Sequence, residues 1–351
     1  MSKLTLKEIK KIIDDVGLNA EFRKVSNNKW SDIINDGKDV PVFFMEHYVN
    51  YQTVVFNYLS KTSMDISLVL LHDHKPCAIW PLVFDTTDKE PIKSVNNQYG
   101  GVVIPPLFVK NFPKKSQRKV VKSCIDFLNK LLILSQGECW RTSELSLYKN
   151  LSQWHQIVLE KGGLLDKVSY EMHLDLSMSL LETRKNIRKS YKPLISSGQK
   201  NWNVVVMDEY NEDIWNKFRE LHKKVAGRVT RPVESWNIQH QAIKEGKAFL
   251  VYILNSDGIM IGGGYFDMSE FQCYYSVGSY DRKYIDQPIA HLIQYHAILT
   301  MKDKNRKMYY IGDRFYVENL PHVTNKQVDI SHFKQGFSSI MFPRIGLVFR
   351  L

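Results

Sequence analysis

The order of elements read in residues 166–351 recurs, less regularly, in residues 42–165, and this favours two copies of one α/β module over two unrelated domains with ordinary hairpins. In the second half the sequence predicts a strand at Ala248–Asn255, a turn at Ser256-Asp257-Gly258, and strands at Ile259–Met268 and Phe271–Ser279. In the first half Ile66–Leu71, His72–Lys75 and Cys77–Phe84 spell the same hairpin, and a third strand ends at Gly101–Ile104. Each trio leads into a helix, a short strand and another helix. A repeat of this length packs as two modules, 1–165 and 166–351, and two packed modules suggest a cleft suited to a small molecule. The chain, at 351 residues and 44% hydrophobic, is long enough for two cores.

Charge narrows the partners. A formal net charge of +11 favours an anionic one: a phosphorylated small molecule, a nucleic acid or an anionic membrane surface. No apolar run approaches the ~20 residues that span a bilayer. Met1–Gly17 is polar and lysine-rich, which predicts an amphipathic surface helix rather than a signal peptide. The expected location is therefore cytoplasmic, with peripheral contact at the inner face of the membrane left open. Cys77, Cys124, Cys139 and Cys273 lack metal-ligand spacing and read as reduced, mostly buried thiols. His72-Asp73-His74 sits in a hairpin turn with no third ligand in the local sequence, so no metal site is expected.

In the second half Lys167–Leu176 alternates as a strand, and Ser179 with Glu182 forms a capping box that opens a helix. Along that helix Leu180, Leu181, Ile187 and Tyr191 form one stripe, with Arg184 and Arg188 inside it. Two arginines on an inward face need anionic or carbonyl partners, and a phosphate or carboxylate ligand would suit their bidentate geometry. Carboxylates of the protein itself would serve as well. Pro193 should kink or end the helix just after Tyr191. Further helices are expected from Asn211 to Gly227, at Ser235–Glu245, at Pro288–Lys302 and at Asn325–Gln335. Strands are expected at Lys307–Gly312 and Ser339–Phe349. This order resembles the GNAT acyltransferase fold with one extra helix before the meander. The fold class is thus α/β (α+β): two tandem GNAT-like modules, each a mixed twisted sheet flanked by helices.

Several strings look chemical. Gly262-Gly263-Gly264 inside a strand implies a bulge or the close approach of a backbone or ligand. Tyr274 and Tyr275 point to opposite faces, so at most one of them faces a given site. Asn97-Gln98-Tyr99-Gly100-Gly101 makes a turn able to present backbone N–H groups. Lys110, Lys114, Lys115, Arg118, Lys119 and Lys122 crowd a helix start, where positive charge opposes the helix dipole. The most specific string is Ile330-Ser331-His332-Phe333-Lys334-Gln335-Gly336-Phe337.

Phe-Lys-x-Gly-Phe near the C-terminus, Arg-x-x-x-Arg opening the second copy and the tandem modules together resemble the FemAB family of peptidyltransferases, and FemAB-like acyltransferases more widely. Those enzymes transfer an amino acid from aminoacyl-tRNA to an amino group of a peptidoglycan precursor. The resemblance implies that Lys334 stabilises the negative charge that develops at the donor carbonyl, with Phe333 packed beside it. It implies that Arg184, with Arg188, grips acceptor phosphate and that Tyr99 lies near the acceptor; Tyr191 and Tyr275 are further candidates for substrate contact. The chain lacks the long coiled-coil insertion of some tRNA-using members, and Pro193 interrupts the arginine helix.

For the donor, ordinary GNAT enzymes hold the pyrophosphate of acetyl-CoA on a glycine-rich turn before a helix. Here Ser279–Pro288 contains no glycine, although Arg282 and Lys283 could hold phosphate through their side chains. Aminoacyl-tRNA and acyl-CoA both stay open as co-substrate, and no tightly bound cofactor is expected. The acceptor expected is a nucleotide- or lipid-linked sugar, with tRNA as a further partner. No side chain stands out as general base; Asp281 and Asp313 are candidates. The chain reads as an amide-forming acyl- or aminoacyltransferase acting on a cell-surface precursor. The competing class is a non-catalytic GNAT-like module that binds RNA or an anionic glycan.

Overall fold

A computed structural model of the protein describes residues 4–37, 39–94, 102–144, 152–317 and 323–350. The chain divides into two units, Met1–Ser169 with Pro343–Leu351, and Tyr170–Phe342.

In the first unit α1 (Leu6–Asp15) starts from a Thr5/Glu8 capping box and buries Ile9, Ile12 and Ile13 along one face, the amphipathic helix the sequence predicts. There follow β1 (Ala20–Phe22), α2 (Asn27–Asp36), α3 (Glu46–Leu59), β2 (Ser63–Asp65), β3 (Leu68–His72) and β4 (Lys75–Trp80). After these come β5 (Val83–Asp85), β6 (Ile92–Lys93), β7 (Val102–Val103), β8 (Leu107–Phe108), α4 (Lys114–Ser135), β9 (Cys139–Ser143) and α5 (Gln153–Glu160). The β3–β4 hairpin turns through Asp73 and His74 at φ of +49° and +62°, which makes the His-Asp-His string a tight turn. No group of three metal-ligating side chains is found among the described residues. The strands order as β1-β3-β4-β8, with a smaller sheet β2-β5-β6. Long helix α4 buries Val121, Cys124, Ile125 and Leu128 in a core that includes Trp80 and Trp154. Its first turn is basic and carries no acid, and Arg118 pairs with Glu160 of α5 at 2.7 Å.

Strand β10 (Leu164–Asp175) starts in the first unit and ends in the second. The second unit continues with α6 (Leu180–Asn186), α7 (Tyr191–Asn201), β11 (Val204–Met207), α8 (Glu212–Ala226), α9 (Val233–Lys244) and β12 (Ala248–Leu254). Then come β13 (Met260–Met268), β14 (Gln272–Tyr280), α10 (Ile289–Asp303), β15 (Met308–Arg314), α11 (Asn325–Gln335) and β16 (Ile340–Arg350). Strand β11 is an addition to the elements expected from the sequence. Strand β16, expected to close the second module, instead pairs over Gly346–Arg350 with β9 of the first unit, to which residues 343–351 belong.

The sheet of the second unit runs β11-β12-β13-β14-β15-β10, antiparallel except for the β14–β15 pair. One face packs against α7 and α10 through Ile195, Leu292 and Ile293, and the other against α8 and α9 through Trp215, Phe218 and Ile243. Each fully buried aliphatic or aromatic side chain contributes on the order of 1.5–3 kcal/mol, so these two layers dominate the unit's stability. The three glycines of β13 serve this packing. Gly262 and Gly264 lie under Ile289 and Ile293 of α10, while Gly263 lies under the Phe218 ring of α8. A ligand is not needed to explain them. All four cysteines are buried and unbridged. No described helix is long and apolar enough to cross a membrane.

Candidate active site

Strands β14 and β15 pair in parallel only over Gln272–Tyr274 and Met308–Tyr310. Beyond that point β14 keeps only β13 as a register partner and β15 keeps only β10, with a bulge that leaves Ile311 outside the register. The two strands therefore part. Just past the last paired residues stand Tyr275 on β14 and Gly312 on β15, and into the split between them reaches Lys334 of α11. Its Nζ lies 5.0 Å from the centre of the Tyr275 ring, a cation–π distance. Burial pulls the Lys334 ammonium down to about 8, partly offset by the Asp313 carboxylate. Lys334 as a residue is half-buried, and desolvation of its amine is the main cause of the shift. No hydrogen bond or ion pair ties Lys334 Nζ to any described residue. Asp313 accepts from Tyr310 Oη at 2.5 Å and so is already engaged.

The Phe-Lys-x-Gly-Phe string has a structural logic at every position. Phe333 stacks edge-on to His291 of α10, 5.0 Å between centres, and also meets Tyr191. Phe337 is fully buried beside Tyr191. Gly336 leaves room for the Tyr191 ring, which a Cβ there would overlap. Gln335 accepts from Arg314 Nε at 3.0 Å. Lys334 is the one side chain of the five that turns into the strand split. His291, enclosed by these rings, has its imidazole pushed down to about 4 by burial and by Arg188, so it is neutral at pH 7.

Arg184 and Arg188 do not share one inward helical face. Helix α6 ends at Asn186, and Ile187 is extended at φ −54°, ψ 135°, so the stripe drawn at 100° per residue stops before it reaches Tyr191. Leu180 and Leu181, expected in the core, are 59% and 66% exposed. Arg184 is likewise exposed, and its Nη2 donates to Ser196 Oγ at 3.0 Å. The break precedes Pro193, which lies in the first turn of α7, where its missing N–H has no partner to lose. Arg188 is half-buried, but its partners are protein oxygens: Nη1 donates to Tyr191 Oη at 2.8 Å and Nη2 to the His332 carbonyl at 2.9 Å.

Of the expected site residues, Lys334, Phe333, Tyr191, Arg188 and Tyr275 are brought together around the end of α11. Tyr275 bonds its hydroxyl to Tyr280 Oη at 2.7 Å, while Tyr274 on the opposite face stacks on Tyr310. Arg282 and Lys283 stand exposed in a short 3-10 turn capped by Asp281, whose carboxylate is ion-paired to Lys224 at 2.7 Å. That ion pair occupies one of the two carboxylates considered as a base. Pro288 precedes α10 with no side-chain cap, so the helix opens without an internal acceptor for its first N–H groups. Tyr99 and its turn lie outside the described residues. Gly312 and Arg314 were not singled out from the sequence. The only signal was that a glycine and an arginine bracket Asp313 at a strand end.

No protein-family model matches the sequence, and no curated protein does. Solved structures share the fold. The crystal structure of FemX aligns with a TM-score of 0.62 at 12% identity, covering 86% of this chain and 91% of that one. The structure of L-PGS from Bacillus licheniformis aligns at 0.56 and 10% identity, covering 99% and 93%. A tandem GNAT protein from the clavulanic acid biosynthesis pathway aligns at 0.51 and 10% identity, covering 95% and 98%. At these identities the likeness establishes a FemX-like tandem GNAT fold.

Proposed function

We propose that the protein is an amide-forming acyltransferase of FemAB type, which passes an aminoacyl or acyl group to an amino group on a phosphate-bearing cell-surface precursor. The reading is carried by one observation: a desolvated ammonium, Lys334, bonded to no described group and standing where β14 and β15 part. When an amine attacks a thioester or ester carbonyl, the carbonyl oxygen gains negative charge and the leaving group departs as thiolate or alkoxide. A fixed cation in a water-poor site stabilises that charge without reorganising, which is where such groups act most strongly. The pairing of β14 with β15 ends at Tyr274, and the strand beyond it would seat an extended donor amide. Exposed Arg282 and Lys283 and the uncapped start of α10 would receive donor phosphate without the usual glycine turn.

FemX and L-PGS share this fold, and the donor proposed is aminoacyl-tRNA or acyl-CoA. A nucleotide- or lipid-linked sugar fits the acceptor side, in keeping with the chain's positive charge. The test is mass spectrometry of products after incubation with charged tRNA or acyl-CoA pools and amino-bearing nucleotide-sugar acceptors. A gain of one amino-acid residue that vanishes with ribonuclease establishes the tRNA-dependent reaction. A gain that survives ribonuclease and needs a thioester establishes the CoA reaction. No gain on any acceptor, with RNA or glycan still bound, makes this a binding module instead.

A further inference from the structure

Helix α11 carries Lys334, yet within its eleven residues only Ser331 is buried. A helix that buries so little of itself cannot be fixed by an apolar stripe. Its aromatic anchors, Phe333 and Phe337, lie at and beyond the last turn. The remaining restraint is polar and comes from two arginines on different elements. Arg188, in the link between α6 and α7, donates Nη2 to the His332 carbonyl and Nη1 to Tyr191 Oη, and Tyr191 Oη donates at 3.3 Å to the Phe333 carbonyl. The backbone N–H of Arg188 donates to the Gly336 carbonyl at 2.8 Å. The carbonyls of His332 and Gly336, and that of Phe333 alongside the Gly336 N–H, are thus taken up by one short segment at the C-terminal end of α11.

The second grip is Arg314, 9% exposed, at the end of β15. It donates Nε to Gln335 Oε1 at 3.0 Å, Nη1 to Ser331 Oγ at 2.8 Å, and Nη1 also to the Phe315 carbonyl. Its guanidinium lies 4.4 Å from the Tyr316 ring centre. Ser331 in turn accepts from the Phe315 N–H at 3.1 Å. Arg314 and Arg188 therefore hold residues on both sides of Lys334 in the sequence, one from the sheet and one from the helical link. Neither arginine makes an ion pair with a carboxylate among the described residues. Their hydrogen bonds go to carbonyls, hydroxyls and an amide instead.

We infer that Arg188 and Arg314 are positioning residues that clamp α11 so that the Lys334 amine is held in the split between β14 and β15. This gives Arg188 a structural role beside or in place of gripping acceptor phosphate, since both terminal nitrogens already donate to Tyr191 and α11. The inference rests on the reading of Lys334 as the working cation, but its test needs no substrate. Groups facing the amine are Asp313 of β15 and Tyr275 of β14, and α11 itself brings His332 near both arginines.

The experiment is competitive amine labelling across pH, read by peptide mass spectrometry, with Lys326 at the exposed start of α11 as internal reference. Hydrogen exchange of α11 is measured on the same proteins. In the unaltered protein the Lys334 midpoint should lie at about 8. In Arg188→Gln and Arg314→Gln its midpoint should rise toward the ordinary lysine value of about 10.4, and α11 should exchange faster while α8 and α10 do not. Arg188→Lys, which cannot bridge both partners, should resemble Arg188→Gln. Tyr191→Phe keeps the ring and removes only the hydroxyl links, so it provides a milder variant should the arginine changes unfold the unit. An unchanged Lys334 midpoint with unchanged α11 protection in the folded variants would overturn the clamp. A shifted midpoint in a protein that forms no product would uphold the clamp while removing the proposed transferase activity.

Discussion

The Lys334 ammonium stands 2.9 Å from the point a Cβ on Gly312 would occupy, and Gly312 itself adopts φ of +136°. The strand residue is thus fixed as glycine twice over, by backbone conformation and by the room it leaves for the cation.

Gly312→Ala should destabilise the protein by about 1–3 kcal/mol through backbone strain. It should also push the amine out of the strand split, and turnover should fall by about 100-fold, the effect of a ~1 Å misplacement of a working group. Urea unfolding and steady-state kinetics separate the two effects. A variant with the expected stability loss but full turnover would show that Lys334 does not need this seat.

The pH profile follows from the depressed Lys334 amine. As a cation it is present below about 8 and lost above it, so kcat/KM should decline roughly tenfold per unit on the alkaline side of that value. The attacking substrate amine must be neutral, which supplies the rising limb at lower pH. Lys334→Arg keeps the charge to far higher pH and should move the falling limb beyond 10 or abolish it, whatever its effect on the maximum rate. A falling limb near 8 that persists in Lys334→Arg would assign it to another group.

Much of the second unit was legible because its signals are local. The Ser179 capping box, the Asn211 cap with Gly227 at the end of α8, and the Asn255–Gly258 turn between β12 and β13 all specify geometry within four or five residues. The FemAB-like string was legible too, although its residues divide the labour: Phe333 and Phe337 pack, Gly336 makes room and Lys334 reaches the split. The arginine helix failed for the opposite reason. Leu180, Leu181, Ile187 and Tyr191 do fall on one stripe of an ideal helix, but Ile187 leaves the helix to enter the core, and no local rule says so. The partners that decide what Arg188 does, the carbonyls of His332 and Gly336, lie nearly 150 residues away. The destination of β16 was equally hidden, since an alternating apolar strand fits any sheet with an open edge.

Gly336→Ala tests the packing half of that string. Its Cβ would overlap the Tyr191 ring, and the backbone of α11 is tied by Arg188 and Tyr191, so relief requires the ring to move. Overpacking of this kind costs about 1–3 kcal/mol. Tyr191→Leu frees the space and should recover part of the loss, so the double variant should be more stable than the sum of the single changes predicts. Strictly additive losses in urea unfolding would mean that the two side chains do not compete for one space.

Acid should weaken the protein before its carboxylates titrate, and two histidines give the reason. His222, 5.0 Å from the Trp236 ring, and His291, between Tyr191 and Phe333, are both pushed from 6.5 down to about 4, chiefly by burial and further by Arg231 and Arg188 respectively. The unfolded chain takes up these protons near 6.5 and the folded chain only near 4. The neutral rings therefore cost nothing above 6.5, and stability is lost progressively as pH falls from 6.5 to 4. With each pH unit of difference worth about 1.4 kcal/mol, the loss at pH 5 relative to 7.5 should be on the order of 2 kcal/mol per histidine. His222→Leu and His291→Leu should each flatten the dependence of the urea midpoint on pH between 7.5 and 5, whatever they do to its absolute value. Glu144, whose carboxyl is held below 4.5 by His155 and Ser152 despite burial, contributes its own loss only at lower pH. A slope between 7.5 and 5 that survives both substitutions would place the acid sensitivity elsewhere than in these two rings.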